Sequence, residues 1–431
     1  MLTEEEKRKR RKINRRIFPI YRMIGCDFLF FYTINFLFLT QVKGITPAEI
    51  VLVDAFYAIF SVFWQTISSV IIDWLGKRKS MILGNLLNCL YFVIIMLSTN
   101  IGGLFLAEFV CALAFALKDI AEPSLLNQSI APSKRSDAIF SKLNGKGLSR
   151  YYYLSAIAVV IAGFLYNINE YLPISLALTT FVIATILSFG ICEISPEKKQ
   201  TKSNLKQTLQ EYFGEVKLSF QFIFKSKRLR ALLLFTAVVR GFLSVAETYE
   251  ISLLEEIQTP SYLIGIISAI LGLVAGFATA KQQKFHECFR NRTLSVISIT
   301  LAFAIFLAGG CVLLSFPSVV TLFVLVLCYS IRAADNGLCY SLPDRYLRNF
   351  ADDKIVSKIY ASKEIFNSLS KSLMGIGASC LLGVTNTAIA MTLLGGILFF
   401  VMLMILTYMK TRVGLKPEEY PKEEIDYATM K

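Results

Sequence analysis

The sequence predicts an all-α fold, a polytopic membrane protein of twelve transmembrane helices in two six-helix bundles. Three observations predict it. Of 431 residues, 55% are hydrophobic and only 18% are charged, too little polar surface to wrap a soluble body of this size. Apolar runs recur at about twenty residues, the length a helix needs to cross a hydrocarbon core of about 30 Å. Basic residues gather in alternate loops, as membrane topology requires.

The spans are placed at 18–41, 48–72, 80–99, 104–128, 148–166, 174–193, 231–254, 262–280, 294–315, 318–342, 364–382 and 387–409. A chain in lipid must satisfy its own backbone hydrogen bonds, and uniformly apolar runs of this length do so as helices. Barrel strands would be about ten residues long and alternate in polarity. The 45 Lys and Arg residues concentrate in the amino-terminal arm, the loops after spans two, four, six, eight and ten, and the tail. The loops of the other face hold only Lys43. Both termini are therefore expected in the cytoplasm, with the chain in the cell (cytoplasmic) membrane and the first run retained as an uncleaved helix.

The expected organisation is a cytoplasmic basic arm (1–17), an N-terminal bundle (18–193), a cytoplasmic linker with an amphipathic helix (194–230), a C-terminal bundle (231–409) and a cytoplasmic tail (410–431). The linker helix is read from Leu205, Leu209, Tyr212, Val216, Phe220 and Ile223, which recur every three or four residues. A repeat supports the two halves: Asp137-Ala-Ile-Phe-Ser-Lys-Leu143 aligns with Asp353-Lys-Ile-Val-Ser-Lys-Ile359, and the same offset carries Asp119 onto Asp335.

Several function classes fall away. The net charge of +14 invites a nucleic-acid partner, but positive-inside topology requires those same residues. Eight of nine cysteines lie within spans and none forms a CxxC pair, so no metal site or disulfide framework is expected. No phosphate-binding Gly-x-x-x-x-Gly-Lys-Ser/Thr loop occurs, and the single histidine, His286, is in a cytoplasmic loop. No nucleophile sits with a base, so the chain is read as no enzyme, without catalytic residues or cofactor, and as a monomer.

After span two stands Ser69-Val-Ile-Ile-Asp73-Trp74-Leu-Gly76-Lys77-Arg78-Lys79. It resembles the loop signature of the major facilitator superfamily, Gly-x-x-x-Asp-Arg-x-Gly-Arg-Arg, matching at Asp73, Gly76, Lys77 and Arg78 and departing at Ser69 and Trp74. The resemblance implies a cytoplasmic gate in a secondary transporter. Asp73 is expected to meet a neighbouring helix's amino-terminal end, Gly76 to permit the turn, and the bases to stay in water. A weaker copy, Gln283 to Arg292, follows span eight. The helix-four and helix-five patterns of drug exporters are poorly matched, with Glu108 where their arginine stands.

Charges inside the spans supply the candidate site, because an ionised group in lipid is costly unless it faces a cavity or a partner. The bases Arg22, Lys118, Arg240, Arg332 and Lys371 stand out, with the acids Asp27, Asp54, Glu108, Asp119, Glu122, Glu247 and Asp335. All but Asp54 and Lys371 fall in spans one, four, seven and ten, the helices that line the central cavity in the resembled family. Helix four aligns Glu108, Asp119 and Glu122 on one face, with Lys118 in reach of Glu122. Arg22, Glu108 and Glu122 are read as close to a membrane face. The expected substrate-binding or proton-coupling set is Asp27, Tyr32, Asn35, Lys118, Asp119, Glu122, Arg240, Glu247, Arg332, Asp335 and Asn336, with Asp335 pairing to Arg332. The expected function is alternating-access transport of a small molecule, with a proton as coupling partner and export as direction. Uptake by symport and lipid flipping on the same scaffold are the alternatives.

Overall fold

The computed structural model describes residues 3–131, 136–194, 214, 221, 224, 226–289, 292–350 and 356–410. The amphipathic linker helix and the tail thus fall largely outside the described residues, as does part of the second repeat segment. Among the described residues the chain is helical without strands. The elements are α1 (Glu4–Gly25), α2 (Asn35–Leu37) running into a π-turn (Phe38–Val42), α3 (Pro47–Leu75), α4 (Lys77–Leu97), α5 (Ile101–Gln128), α6 (Ser136–Ile168) and α7 (Leu172–Phe189). After the linker follow α8 (Lys227–Glu256), α9 (Ser261–Phe289), α10 (Thr293–Leu313), α11 (Ser318–Phe350), α12 (Val356–Val384) and α13 (Thr387–Lys410).

Eleven of these helices are long and apolar enough to cross a membrane. They coincide with the second to twelfth expected spans. Four of them start where a side chain satisfies a free amide of the first turn. Thr46 and Glu49 form a reciprocal capping box before α3. Asn100 accepts from the Gly103 amide at 3.0 Å, Ser226 from Leu229 at 3.2 Å and Asn386 from Ile389 at 2.8 Å.

The first span departs from expectation. Instead of one helix over 18–41, α1 ends at Gly25, the backbone turns through 26–34, and helix resumes at Asn35. The cause lies in the side chains of the break. The Asp27 carboxylate accepts from the Phe28 amide at 2.8 Å, a local bond that competes with helix. Phe30 takes a positive φ of 67°, rare for a non-glycine residue. Phe28 swings into an aromatic nest, stacked on Tyr91 at 4.8 Å and edge-on to Phe92, Phe115 and Phe181. The packing of one large ring offsets the lost helical turns.

The described chain forms two compact units. The first comprises the described residues of Met1–Ile45, Ile59–Gln210 and Ser261–Ile266; the second those of Thr46–Ala58, Glu211–Pro260 and Ile267–Lys431. In the first unit α4 packs on α5 and α7, and α1 on α6 and α7. A core of Phe18, Tyr21, Met81, Leu117, Leu125 and Ala184 lies among them. Within this unit Ser261 donates to the Gly163 carbonyl at 3.1 Å, and a β-carbon at Gly163 would meet the Ser261 carbonyl at 2.6 Å. In the second unit α8 packs on α12 and α13, and α10 on α11 and α13. There the start of α3 lies on α12: Ser379 donates to the Ala48 carbonyl at 2.7 Å, and a β-carbon at Gly375 would stand 2.7 Å from that of Ala55.

Candidate functional site

The first unit concentrates its buried charge around Glu122 on α5. Glu122 is 1% exposed and is approached by three groups. The Tyr21 hydroxyl donates to it at 2.6 Å, the Arg22 guanidinium forms an ion pair with it, and the Lys118 ammonium lies at 3.8 Å. Tyr21 also exchanges a hydrogen bond with Asn85 on α4. Arg22 and Glu122 thus pair with each other, the acid fully buried and the guanidinium partly so.

Lys118 is 2% exposed and donates to the Gly25 carbonyl at 2.5 Å, closing the broken end of α1. A cation at a helix carboxyl end is favourably placed against the unpaired carbonyls. Phe181 and Phe115 flank it, with ring centres 4.8 Å and 5.5 Å away. Room for its stem exists only because residue 84 is glycine: a β-carbon there would meet Lys118 Cγ at 2.7 Å and the Ala114 carbonyl at 2.8 Å. Asp27, two residues beyond Gly25, accepts from Tyr151 on α6 at 3.5 Å. Asp119, next to Lys118 on α5, is exposed. Tyr32 is 57% exposed, and Asn35 is half-buried at the start of α2.

The second unit has a different centre. Arg332 on α11 makes a two-pronged ion pair with Glu250 on α8, both contacts 2.7 Å, with Arg332 5% and Glu250 3% exposed. The expected pair of Arg332 with Asp335 is therefore not formed. The two point to different neighbours: Asp335 accepts from Thr300 on α10 at 3.0 Å. Their spacing allowed a pair, but a bidentate fork on another helix satisfies the guanidinium better. Arg240 reaches Asn336 at 3.4 Å, and Asp54 on α3 accepts from Thr248 at 3.2 Å. Glu247 is half-buried one turn before Glu250.

Glu250 is the residue that sequence reasoning passed over. It falls inside the seventh span, three residues after Glu247, and an embedded acid facing an embedded arginine was there to be matched. Asn88 was also missed. It is wholly buried beside Asn85, and neither side-chain atom has a hydrogen-bond partner among the described residues.

The motif after span two adopts part of its expected form. Gly76 has φ of +88°, a left-handed conformation that other residues resist, and it caps α4. Asp73 is exposed and Lys77 half-buried. Arg78 is half-buried, and its guanidinium donates to the Phe189 carbonyl at 2.7 Å in a solvent-exposed bond. The carboxyl end of α7 offers unpaired carbonyls that a guanidinium satisfies. Among the described residues no group of His, Cys, Asp and Glu is arranged to hold a metal ion.

A family model described as the Major Facilitator Superfamily matches residues 20–343. The chain belongs to that superfamily. Membership makes it a multi-pass membrane transporter rather than an enzyme. Solved structures with the same fold include the nucleoside transporter NupG, at 12% identity with TM-score 0.70, covering 93% of this chain and 99% of that one. A peptide transporter POT in complex with sulfate matches at 13% identity and TM-score 0.63, covering 95% and 94%. A POT family transporter in complex with 5-aminolevulinic acid matches at 14% and 0.61, covering 93% and 95%. No curated protein matches the chain. In this superfamily member, the buried ion pairs sit on spans one, four, seven and ten, where the sequence resemblance had placed the cavity-lining helices.

Proposed function

We propose that the chain moves a small polar molecule across the cell membrane by alternating access, coupled to protons and in the direction of export, with both termini in the cytoplasm. One observation carries the reading: embedded charges are gathered on α1, α5, α8 and α11 rather than spread over the helices. Ion pairs withdrawn from water cost several kcal/mol each in desolvation, so stability alone is a poor reason to keep them. A site that must bind and release a charged or dipolar solute gives a better one.

Glu122 and Glu250 are each ion-paired, and of the remaining embedded carboxylates we assign proton traffic to Asp119 and Asp335, which the internal repeat aligns with each other. Asp119 is exposed, and Asp335 is held by a single hydroxyl. Nucleosides and peptides are the first solutes to try, because structures of similar fold are titled as transporters of those classes.

The test uses proteoliposomes carrying a pH dye inside. Adding a nucleoside or dipeptide mixture is expected to move protons with the wild-type chain and not with Asp119→Asn or Asp335→Asn. Unchanged coupling in both variants refutes the proton assignment. Solute accumulation down an inward proton gradient would assign symport and uptake instead. Translocation of labelled lipid in solute-free liposomes would assign a flippase.

A further inference from the structure

The amino-terminal arm carries more order than a topology signal needs. Positive-inside insertion asks for charge alone, yet α1 continues unbroken from Glu4 through the basic run and into the apolar part of the span. Thr3 and Glu6 cap its start reciprocally, at 2.8 Å and 3.3 Å. One face is bolted down. Arg10 donates to the Glu193 carbonyl at 3.0 Å and Arg15 to the Ser129 carbonyl at 3.0 Å. Asn14 donates to the Cys192 carbonyl at 2.7 Å and accepts from its amide at 2.9 Å.

Four of the six remaining bases share the other face, Lys7 and Arg11 being half-buried. Arg8, Lys12 and Arg16 recur every four residues with Lys9 beside them, and all four are exposed. Two aliphatic side chains continue the same stripe, Ile13 at 37% and Ile20 at 43% exposed. Glu5 joins the face at its outer end and offsets one charge there. Over about 18 Å of helix, at about 1.5 Å per residue, the stripe therefore passes from cationic to greasy.

That sequence of chemistry matches the headgroup-to-acyl gradient of a phospholipid leaflet. We propose that this face of α1 docks anionic phospholipid of the leaflet it enters, with Arg8, Lys9, Lys12 and Arg16 on the phosphate groups and Ile20, about one turn beyond Arg16, against the upper acyl chains. A soluble acidic protein would meet the four cations but would leave Ile20, below them, without a partner. The docked face fixes the cations on one side, so they act together rather than as a loose polybasic tail.

Native mass spectrometry of the purified full chain tests the proposal, titrating phosphatidylglycerol and, separately, phosphatidylcholine. Phosphatidylglycerol is expected to bind the wild-type chain more tightly, and the preference to fade in high salt. The fourfold variant R8Q/K9Q/K12Q/R16Q should weaken phosphatidylglycerol at least twentyfold and leave phosphatidylcholine unchanged. If that variant fails to fold, Lys12→Gln and Arg16→Gln singly should each weaken it about fivefold. An unaltered preference in the folded variants overturns the proposal. So does displacement of the lipid by inorganic phosphate at equal concentration, which would mark a small-anion site.

Discussion

Glu122 neutralises Arg22 and Lys118, and Glu250 neutralises Arg332, where burial makes an unbalanced charge costly. Removing the acid leaves Arg22 and Lys118, or Arg332, charged in a dry interior. Glu122→Gln and Glu250→Gln are therefore each expected to destabilise the chain by about 3–5 kcal/mol. Thermal unfolding in detergent measures this, and a loss below about 1 kcal/mol would show that water reaches these pairs. Asn88 predicts the opposite sign. Its buried amide has no partner among the described residues, so Asn88→Leu is expected to raise stability by about 1–3 kcal/mol in the same assay. How far these sites were legible follows from the same chemistry. The Lys118–Glu122 spacing could be read along one helix, because three-four neighbours are fixed by helix geometry. The Arg332–Glu250 fork joins residues 82 apart, and no local rule reveals which of several embedded acids will face a given base.

Spans two to twelve were legible because hydropathy and length both mark them, although several helices run past the expected ends, as α6 (Ser136–Ile168) does beyond 148–166. The break after Gly25 was not. Its run of Phe, Leu and Ile looks like continuous span, and only the aromatic nest around Phe28 and the Lys118 cap favour the bend. Nothing within 26–34 announces those partners on α4, α5 and α7. Gly76 was readable, since a glycine between a helix end and a basic cluster marks a turn. Gly76→Ala and Gly76→Asn are both expected to lower stability by about 1–3 kcal/mol, because φ of 88° with ψ of 152° is open essentially to glycine alone. A loss below about 0.5 kcal/mol in thermal unfolding would mean the turn relaxes. Gly84 was harder to read: its role is to let α4 approach the Lys118 stem, a demand set by another helix.

For the transport cycle, the exchanged segments matter most. Within the second unit the start of α3 lies against α12, and within the first the start of α9 lies against α6. Gly375→Val, whose β-carbon would stand 2.7 Å from that of Ala55, is expected to wedge the α3–α12 contact apart and to slow transport in proteoliposomes. Undiminished transport by the folded variant would show that the cycle does not depend on this close approach.

The interrupted opening helix also bears on how the protein is made. As the nascent chain leaves the ribosome, residues 26–34 enter the insertion machinery outside regular helix, and the ammonium that closes the Gly25 carbonyl is synthesised 93 residues later. Until then the first segment has no settled place in the bilayer. Stalled chains ending before α5 should keep Cys26 open to a water-soluble thiol reagent, and chains released after α7 should protect it.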